Sequence, residues 1–494
     1  MVDTAISLAA ASQGDGEPLH LDDHVDAKGN TLLHIVSDTP LTLRLLRKCD
    51  SDVNAANDKR FTPLMVGSKY GRINLVRALF GDPRVDMTLK DMRGLSAVEL
   101  AKDDDVRNRI DDLVLLSTAP GKDGRMTTVV RSFFVEDATI RFVLKSGAPN
   151  ANGSITVSTC RRSVQDFQNL AEWLSTECPA SWLPTHFNLP SPFLIPSKPS
   201  RAILRDTQLR LDNFFRNLLT HGTFSVHELV WEFFLMPELD AAMLADRSKR
   251  KAEARVENVK EDYEPVADTQ EVENFVVHAK EQVRGVTQAV RKGIRSVNRQ
   301  RMSYNDFHES LTLATSRLST LMFLPPAYGA AFERFTKALV PTEASPWAGF
   351  YYNLHGIQSS STAIQTALNR PAYLIGSMNQ AQRNIDRANG SVSRSNRWTP
   401  NIGLFEDAKK ATATEAWEKA AKARAELDSL GCELRYTQQT VASELAAWQD
   451  EHVRAGKAML RKFAKDNITR ERARLEGMRR AMREITKVSA APAL

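Results

Sequence analysis

Apolar positions change their period along this chain, and the changes divide it. Between residues 127 and 160 they lie in three β-branched runs, Thr127 to Val135, Thr139 to Leu144 and Ser154 to Cys160, bounded by Gly, Pro and Asn. Such runs predict strands. Helical spacing follows them, so this part reads as α+β. Beyond about residue 240 the spacing stays helical and breakers become rare. Three long helices are expected there: Thr269 to about Phe323, Trp347 to Asn389, and Phe405 to Val488, with Asn389 to Pro400 as a loop. The third would exceed roughly 100 Å, a length that requires a bundle or coiled-coil partner. Pro341, Pro346 and Pro371 should break or kink the middle of this region. Pro325 to Ser345 either extends the first helix or connects the first two. The charged stretch Asp246 to Asp262 reads as a helical or flexible connector.

A repeat precedes the strands. Asp26-Ala-Lys-Gly-Asn-Thr31-Leu-Leu-His34, Lys59-Arg-Phe-Thr62-Pro-Leu-Met65 and Met92-Arg-Gly-Leu-Ser96-Ala-Val-Glu-Leu100 share an opening. Thr31, Thr62 and Ser96 lie 31 and 34 residues apart. Each is placed to cap a helix, and Pro63 sits in a first turn, where its missing N–H costs nothing. Gly71 to Phe80 reads as the second helix of one unit. The pattern resembles the ankyrin repeat, with three units over 26–116, and implies a stack that binds proteins on its concave face. His34 is read as part of the turn hydrogen bonding, not as a metal ligand. Residues 1–25 are small, polar and acidic and read as disordered.

Composition narrows the classes. A chain of 494 residues needs roughly two to four domains. Charged residues at 26% and hydrophobic residues at 42% suit a folded protein. The net charge of +6 leans mildly toward anionic partners. Cys49, Cys160, Cys178 and Cys432 are scattered, so no zinc site is expected and a reducing compartment suits them. No run is apolar enough to span a bilayer and no signal peptide opens the chain, so membrane contact is expected to be peripheral. Phosphate-binding and nucleophile-elbow motifs are missing. The expectation is no enzyme, no cofactor, no metal and no nucleic acid.

Residues 154–219 carry a second resemblance. A strand enters Arg161-Arg162-Ser163-Val164-Gln165-Asp166-Phe167, then a helix with Leu170 and Leu174. A proline-rich loop, Pro190-Ser-Pro-Phe-Leu-Ile-Pro-Ser-Lys198-Pro, leads to a helix ending in Leu211-Asp-Asn-Phe-Phe-Arg-Asn-Leu-Leu219. This order resembles the PX domain, a phosphoinositide-binding module, over 125–240. The resemblance implies a basic residue four before Phe167 that holds a 3-phosphate, and an aromatic residue after it. It also implies a lysine in the proline-rich loop and an arginine four before Leu211. Ser163, Val164 and Thr207 occupy three of those places here; Lys198 matches the fourth. Arg161, Arg162 and Arg205 stand one or two positions away, and a bulge would bring Arg162 into register. The expected lipid-binding set is therefore Arg161, Arg162, Lys198 and Arg205, with about 1.5–3 kcal/mol lost for each missing phosphate contact.

Two basic runs mark the helical region. Arg284, Arg291, Lys292, Arg295, Arg299 and Arg301 have no acidic residue among them. Arg291, Arg295 and Arg299 share one helix face. Arg383, Arg387, Arg394 and Arg397 cluster beside the expected loop. Long helices over 269–488 after a PX-like segment and a connector at 241–268, with Glu444-Leu-Ala-Ala-Trp-Gln-Asp-Glu-His-Val-Arg in the third, resemble the BAR domain of PX-BAR sorting nexins. In that family such basic runs face the membrane.

The full order of ankyrin repeats, α+β PX domain and all-α BAR-like three-helix coiled coil resembles the C-terminal part of a group of fungal endosomal proteins. Those also carry an exchange-factor domain that activates Rab GTPases. None fits before residue 26, so the chain is either a fragment or a relative without that activity. The resemblance implies a cytoplasmic coat subunit, peripheral on endosomal membranes. It would dimerise, with another PX-BAR sorting nexin as partner. It would bind membrane phospholipid, with phosphatidylinositol 3-phosphate as a weak ligand, and recruit a protein through its ankyrin repeats. A soluble ankyrin/PX adaptor with a coiled-coil oligomerisation region is the open alternative.

Overall fold

The computed structural model describes residues 25–490 apart from 50, 122, 135–138, 151, 185–188, 190–198, 267, 319, 340–344 and 398–405, with a few positions before residue 12. The repeat region supplies α1 (Leu32–Ile35), α2 (Thr39–Lys48), α3 (Pro63–Lys69), α4 (Ile73–Phe80) and α5 (Asp104–Leu116). Side-chain caps start three of them, α2, α3 and α5, whereas Thr31 makes no simple cap bond to α1 and instead meets His34. Thr62 Oγ1 accepts from Met65 N at 3.3 Å, with Pro63 in the first turn, and Asp103 accepts from Val106 N at 2.9 Å. In the third unit Ser96 bonds Glu99 instead, and residues 97–100 form turns rather than a helix. His34 plays its expected part: Nδ1 accepts from Thr31 N at 3.1 Å, which leaves Nε2 to donate to the Phe61 carbonyl at 2.8 Å. Leu33, Leu45, Met65, Leu75 and Ile110 form the core of this stack. Most of the expected disordered stretch 1–25 lies outside the described residues; Ile6 within it is fully buried in the same core.

The three strands form as read: β1 (Met126–Phe134), β2 (Ile140–Pro149) and β3 (Ile155–Ser163), antiparallel in the order β1-β2-β3. A bulge interrupts β1 between Val129 and Arg131. Its backbone groups are taken by α7 (Arg201–Thr220): Asp212 accepts from Val129 N at 3.0 Å and Gln208 donates to Val129 O at 2.7 Å. α6 (Val164–Glu177) and α8 (Glu228–Leu235) complete this layer. Phe167, Leu170 and Leu174, one face of α6, meet Phe142, Phe215 and Phe233 in its core. The repeat stack docks on the sheet through α5, where Asp111 accepts from Arg131 at 2.7 Å and Asp112 from buried Lys145 at 2.6 Å.

The connector is a helix, α9 (Ala241–Asp262), capped by Asp240. Then follow α10 (Gln270–Leu318), α11 (Pro326–Ala338), α12 (Pro346–Ala367), α13 (Arg370–Arg397) and α14 (Glu406–Ala490). The ambiguous Pro325–Ser345 region thus holds a helix of its own. The middle helix is cut at Leu368–Asn369, just before Pro371, whose ring cannot follow a continuing turn. The expected loop at Asn389–Pro400 is overturned in its first part: α13 runs through Arg397. Gly390 and the serines there lower helix propensity without forbidding it; the proline that would, Pro400, lies beyond. With 85 residues, α14 is about 130 Å long. The core of the bundle joins Val283, Ile364, Leu368, Val441 and Trp448, and a second cluster joins Val276, Leu374 and Leu434. Gly431 lets the segment after α9 cross α14: a Cβ there would lie 2.8 Å from Pro265 Cβ, and its carbonyl accepts from Val266 N at 3.3 Å.

Candidate functional site

The β3–α6 junction decides the fate of the first candidate residues. Side chains alternate along a strand, and β3 turns Cys160 and Arg162 inward and Arg161 outward. The pairing of β2 with β3 is unbroken, Val143 opposite Arg161 and Phe142 opposite Arg162. No bulge re-aims Arg162, contrary to the sequence reading. Its guanidinium is buried and donates to the carbonyls of Phe233 (3.0 Å), Met236 (2.5 Å) and Pro237 (2.9 Å), capping the end of α8. Burial holds its pKa below the usual arginine value. Arg162 thus faces the core with its guanidinium taken up by backbone carbonyls, not outward as the lipid-binding reading requires. Ser163 is the N-cap of α6: its Oγ accepts from Asp166 N at 3.2 Å, and Asp166 Oδ2 accepts from Ser163 N at 2.7 Å.

The other candidates engage different neighbours. Arg161 is exposed and lies 5.4 Å over the Phe133 ring. Arg205, on α7, turns to Gln208 Oε1 at 3.1 Å. Thr207 is buried in α7, so no substitute ligand arises there. Lys198 lies outside the described residues. The described candidates thus each engage a different neighbour: Arg161 the Phe133 ring, Arg162 the end of α8, and Arg205 Gln208.

The basic runs separate into exposed and engaged members. On α10, Arg291, Lys292, Arg295 and Arg299 are exposed, and no carboxylate pairs with them among the described residues. Arg284 stands 3.8 Å from Glu281. Arg301 instead lies 4.6 Å over the Tyr351 ring and is held against α12. The same guanidinium and Arg210 help burial push the nearby His355 down to about 4. On α13, Arg383 and Arg387 are exposed and unpaired among the described residues. Arg394 and Arg397 belong to its last turns; their side chains lie outside the described residues. No helix among the described residues is long and apolar enough to cross a membrane, and no group of His, Cys, Asp and Glu is arranged there to hold a metal.

Sequence reasoning missed the polar clasps that fix the sheet layer to the bundle. Glu444 Oε2 lies 2.8 Å from His221 Nε2, and Oε1 accepts from Ser181 Oγ at 2.7 Å and Thr223 Oγ1 at 3.0 Å. His221 Nδ1 accepts from Thr223 N at 3.1 Å, so the ring proton sits on Nε2, toward Glu444. Burial opposes the charge on Glu444, but these partners outweigh it and hold the carboxyl below its usual range. Glu433 accepts from Arg255 at 2.9 Å and Arg370 at 2.6 Å, tying α9, α13 and α14 together. A signal existed: Leu434, Thr437, Val441, Glu444 and Trp448 follow one buried 3–4 spacing, and an acid on such a stripe asks for a partner.

Comparison with known proteins adds three findings. Residues 45–101 match the ankyrin repeat family. A UPF0507 protein of Yarrowia lipolytica is 38% identical over 267 residues, 53% of this chain and 24% of that protein. A UPF0507 protein of Saccharomyces cerevisiae is 36% identical over 90 residues, 18% of this chain and 12% of its own length. The chain thus spans a quarter or less of each relative's length. The cryo-EM structure of the SNX-BAR Mvp1 tetramer aligns over 70% of this chain and 95% of its own, at 13% identity and a TM-score of 0.41.

Proposed function

We propose that the chain is a coat subunit of the sorting-nexin type, without enzymatic activity, that attaches peripherally to endosomal membranes from the cytoplasm. The observation that carries this reading is the exposed row Arg291, Lys292, Arg295 and Arg299 on a 49-residue helix, with Arg383 and Arg387 on α13, none paired with a carboxylate among the described residues. Each cation near an anionic leaflet contributes about 1 kcal/mol. The sheet with α6 and α7 serves as a PX-type scaffold. With Arg162 inside the fold, attraction rests on charge more than on a phosphoinositide headgroup, so phosphatidylinositol 3-phosphate is at most a weak ligand. The long helices dimerise the subunit, with another sorting nexin of the same kind as partner. Exposed Met302, Phe307 and Leu313 on α10 and Leu460, Ile468 and Met482 on α14 support that, being apolar positions without cover in one copy. The ankyrin repeats recruit a protein.

Co-sedimentation with phosphatidylcholine vesicles containing phosphatidylserine, with and without phosphatidylinositol 3-phosphate, tests this reading. Salt-sensitive binding with little dependence on the phosphoinositide is expected. A chain that ignores all vesicles, alone and with its partner, contradicts the coat and leaves the adaptor.

A further inference from the structure

Three loops in the repeat region are built on one plan. One side-chain oxygen each of Asp26, Asn57 and Asp91 accepts the N–H groups two and four residues on, those of Lys28 and Asn30, Lys59 and Phe61, Arg93 and Leu95, at 2.8–3.0 Å. The third residue on is left-handed every time: Gly29 at φ 72°, Arg60 at 56°, Gly94 at 76°. The loop tip is a cation every time, and Lys28, Lys59 and Arg93 are all exposed. The first two loops lie side by side, with Asn57 Nδ2 donating to Asn30 Oδ1 at 2.9 Å.

Arg60 breaks the plan in an informative way. It is the one non-glycine residue with positive φ among the described residues. Glycine fills that place in the other two loops and would fit without strain. Backbone strain held on a surface, where glycine would relieve it, points to a use for the side chain. Here the side chain adds a fourth exposed cation to the tips.

The row continues inward. Lys69 lies 4.7 Å over the Phe61 ring, next to Tyr70, which is 60% exposed. Arg72 stacks 5.7 Å over Tyr70 and donates to the carbonyls of His34 and Ile35, and Ile35 is exposed as well. Six cations (Lys28, Lys59, Arg60, Lys69, Arg72, Arg93) thus stand against three acids (Asp26, Asp58, Asp91), a net of +3. Asp26 is turned onto its own loop amides; Asp91 is as well, and its second oxygen holds Arg93 Nε at 3.1 Å, so five of the six cations stand clear of it.

We propose that this face holds an extended acidic segment of a partner protein, its carboxylates on the loop cations and its apolar side chains at Tyr70 and Ile35. The proposal rests on the reading of the repeats as a protein-binding stack. An extended chain presents alternate side chains to two sides, which suits tips and helix ends that α3 holds apart.

The full chain is panned against displayed random linear peptides. Selected peptides are expected to be rich in Asp and Glu interspersed with apolar residues. Their affinity should fall about tenfold in Arg60→Gly and further in Lys59→Glu, as expected for lost charge-assisted bonds. Arg60→Gly should melt no lower than wild type, because glycine is the relaxed residue there. Its binding to phosphatidylserine vesicles, measured in parallel, should be unchanged. Selected peptides without acidic enrichment, or full affinity in Arg60→Gly, overturn the acidic partner and leave the protein-binding stack standing. No selected peptide overturns both, and weaker vesicle binding by Arg60→Gly would then assign the tips to the membrane.

Discussion

Arg162 donates its Nε–H to the Phe233 carbonyl at 3.0 Å and lies 5.2 Å over the ring of the same phenylalanine. One cation thus closes the end of α8 and fills the core beneath the sheet. Arg162→Ala leaves those carbonyls without a donor and opens a cavity. It should cost about 3 kcal/mol or more of stability in urea unfolding, while the folded fraction binds vesicles as wild type does. Loss of vesicle binding at unchanged stability would restore Arg162 to a lipid pocket.

The Glu444 clasp should be acid-sensitive. A carboxyl held below its ordinary value, near 4.5, stabilises the fold fully above that value. The contribution drains as pH falls through the lower folded value. Glu444→Gln should cost about 2 kcal/mol at neutral pH. The gap in melting temperature between the two proteins should then close below about pH 4.5. Glu177, held low by His227 and Ser248 against burial, acts in the same direction. A gap that stays constant with pH would remove Glu444 from the account.

Glu433 keeps Arg255 and Arg370 together on α14. Glu433→Ala leaves two guanidiniums, each about a quarter exposed or less, facing each other. A destabilisation of about 2 kcal/mol is expected. Arg370→Gln in the same background should recover part of it, since it removes the repulsion. The four denaturation curves of that double-mutant cycle measure the coupling directly.

Gly431 is required by space alone. Gly431→Ala places a methyl 2.8 Å from Pro265 Cβ. It should destabilise by about 1–3 kcal/mol through overpacking, whereas Gly456→Ala, where no atom lies within 4 Å, should stabilise α14 slightly. Chemical denaturation of the two variants side by side checks the contrast.

Much of the architecture was legible because local rules decided it. The 31- and 34-residue spacing of Thr31, Thr62 and Ser96 marked the repeats, and β-branched runs marked the sheet. What failed depended on tertiary geometry. The basic pair at Arg161-Arg162 looked like a ligand set, but strand alternation turned one residue into the core, and the bulge formed in β1 instead of β3. In the run Arg284 to Arg301 the cations look alike on paper; only the aromatic face of α12 separates Arg301 from its exposed neighbours. Glu444 stood in view on a buried stripe, but its partners, His221, Ser181 and Thr223, lie more than 200 residues away in sequence.

The exposed row on α10 carries the account. The measurement that tests it most directly is co-sedimentation with phosphatidylserine vesicles of wild type, a variant with Arg291, Lys292, Arg295 and Arg299 all changed to Gln, and Arg301→Gln. At about 1 kcal/mol per cation, the fourfold change should weaken binding by roughly a hundredfold or more at low salt. It should also flatten the salt dependence and leave the melting temperature unchanged. Arg301→Gln should lower the melting temperature and leave binding intact. Wild-type binding by the fourfold variant would contradict the membrane-facing assignment of α10.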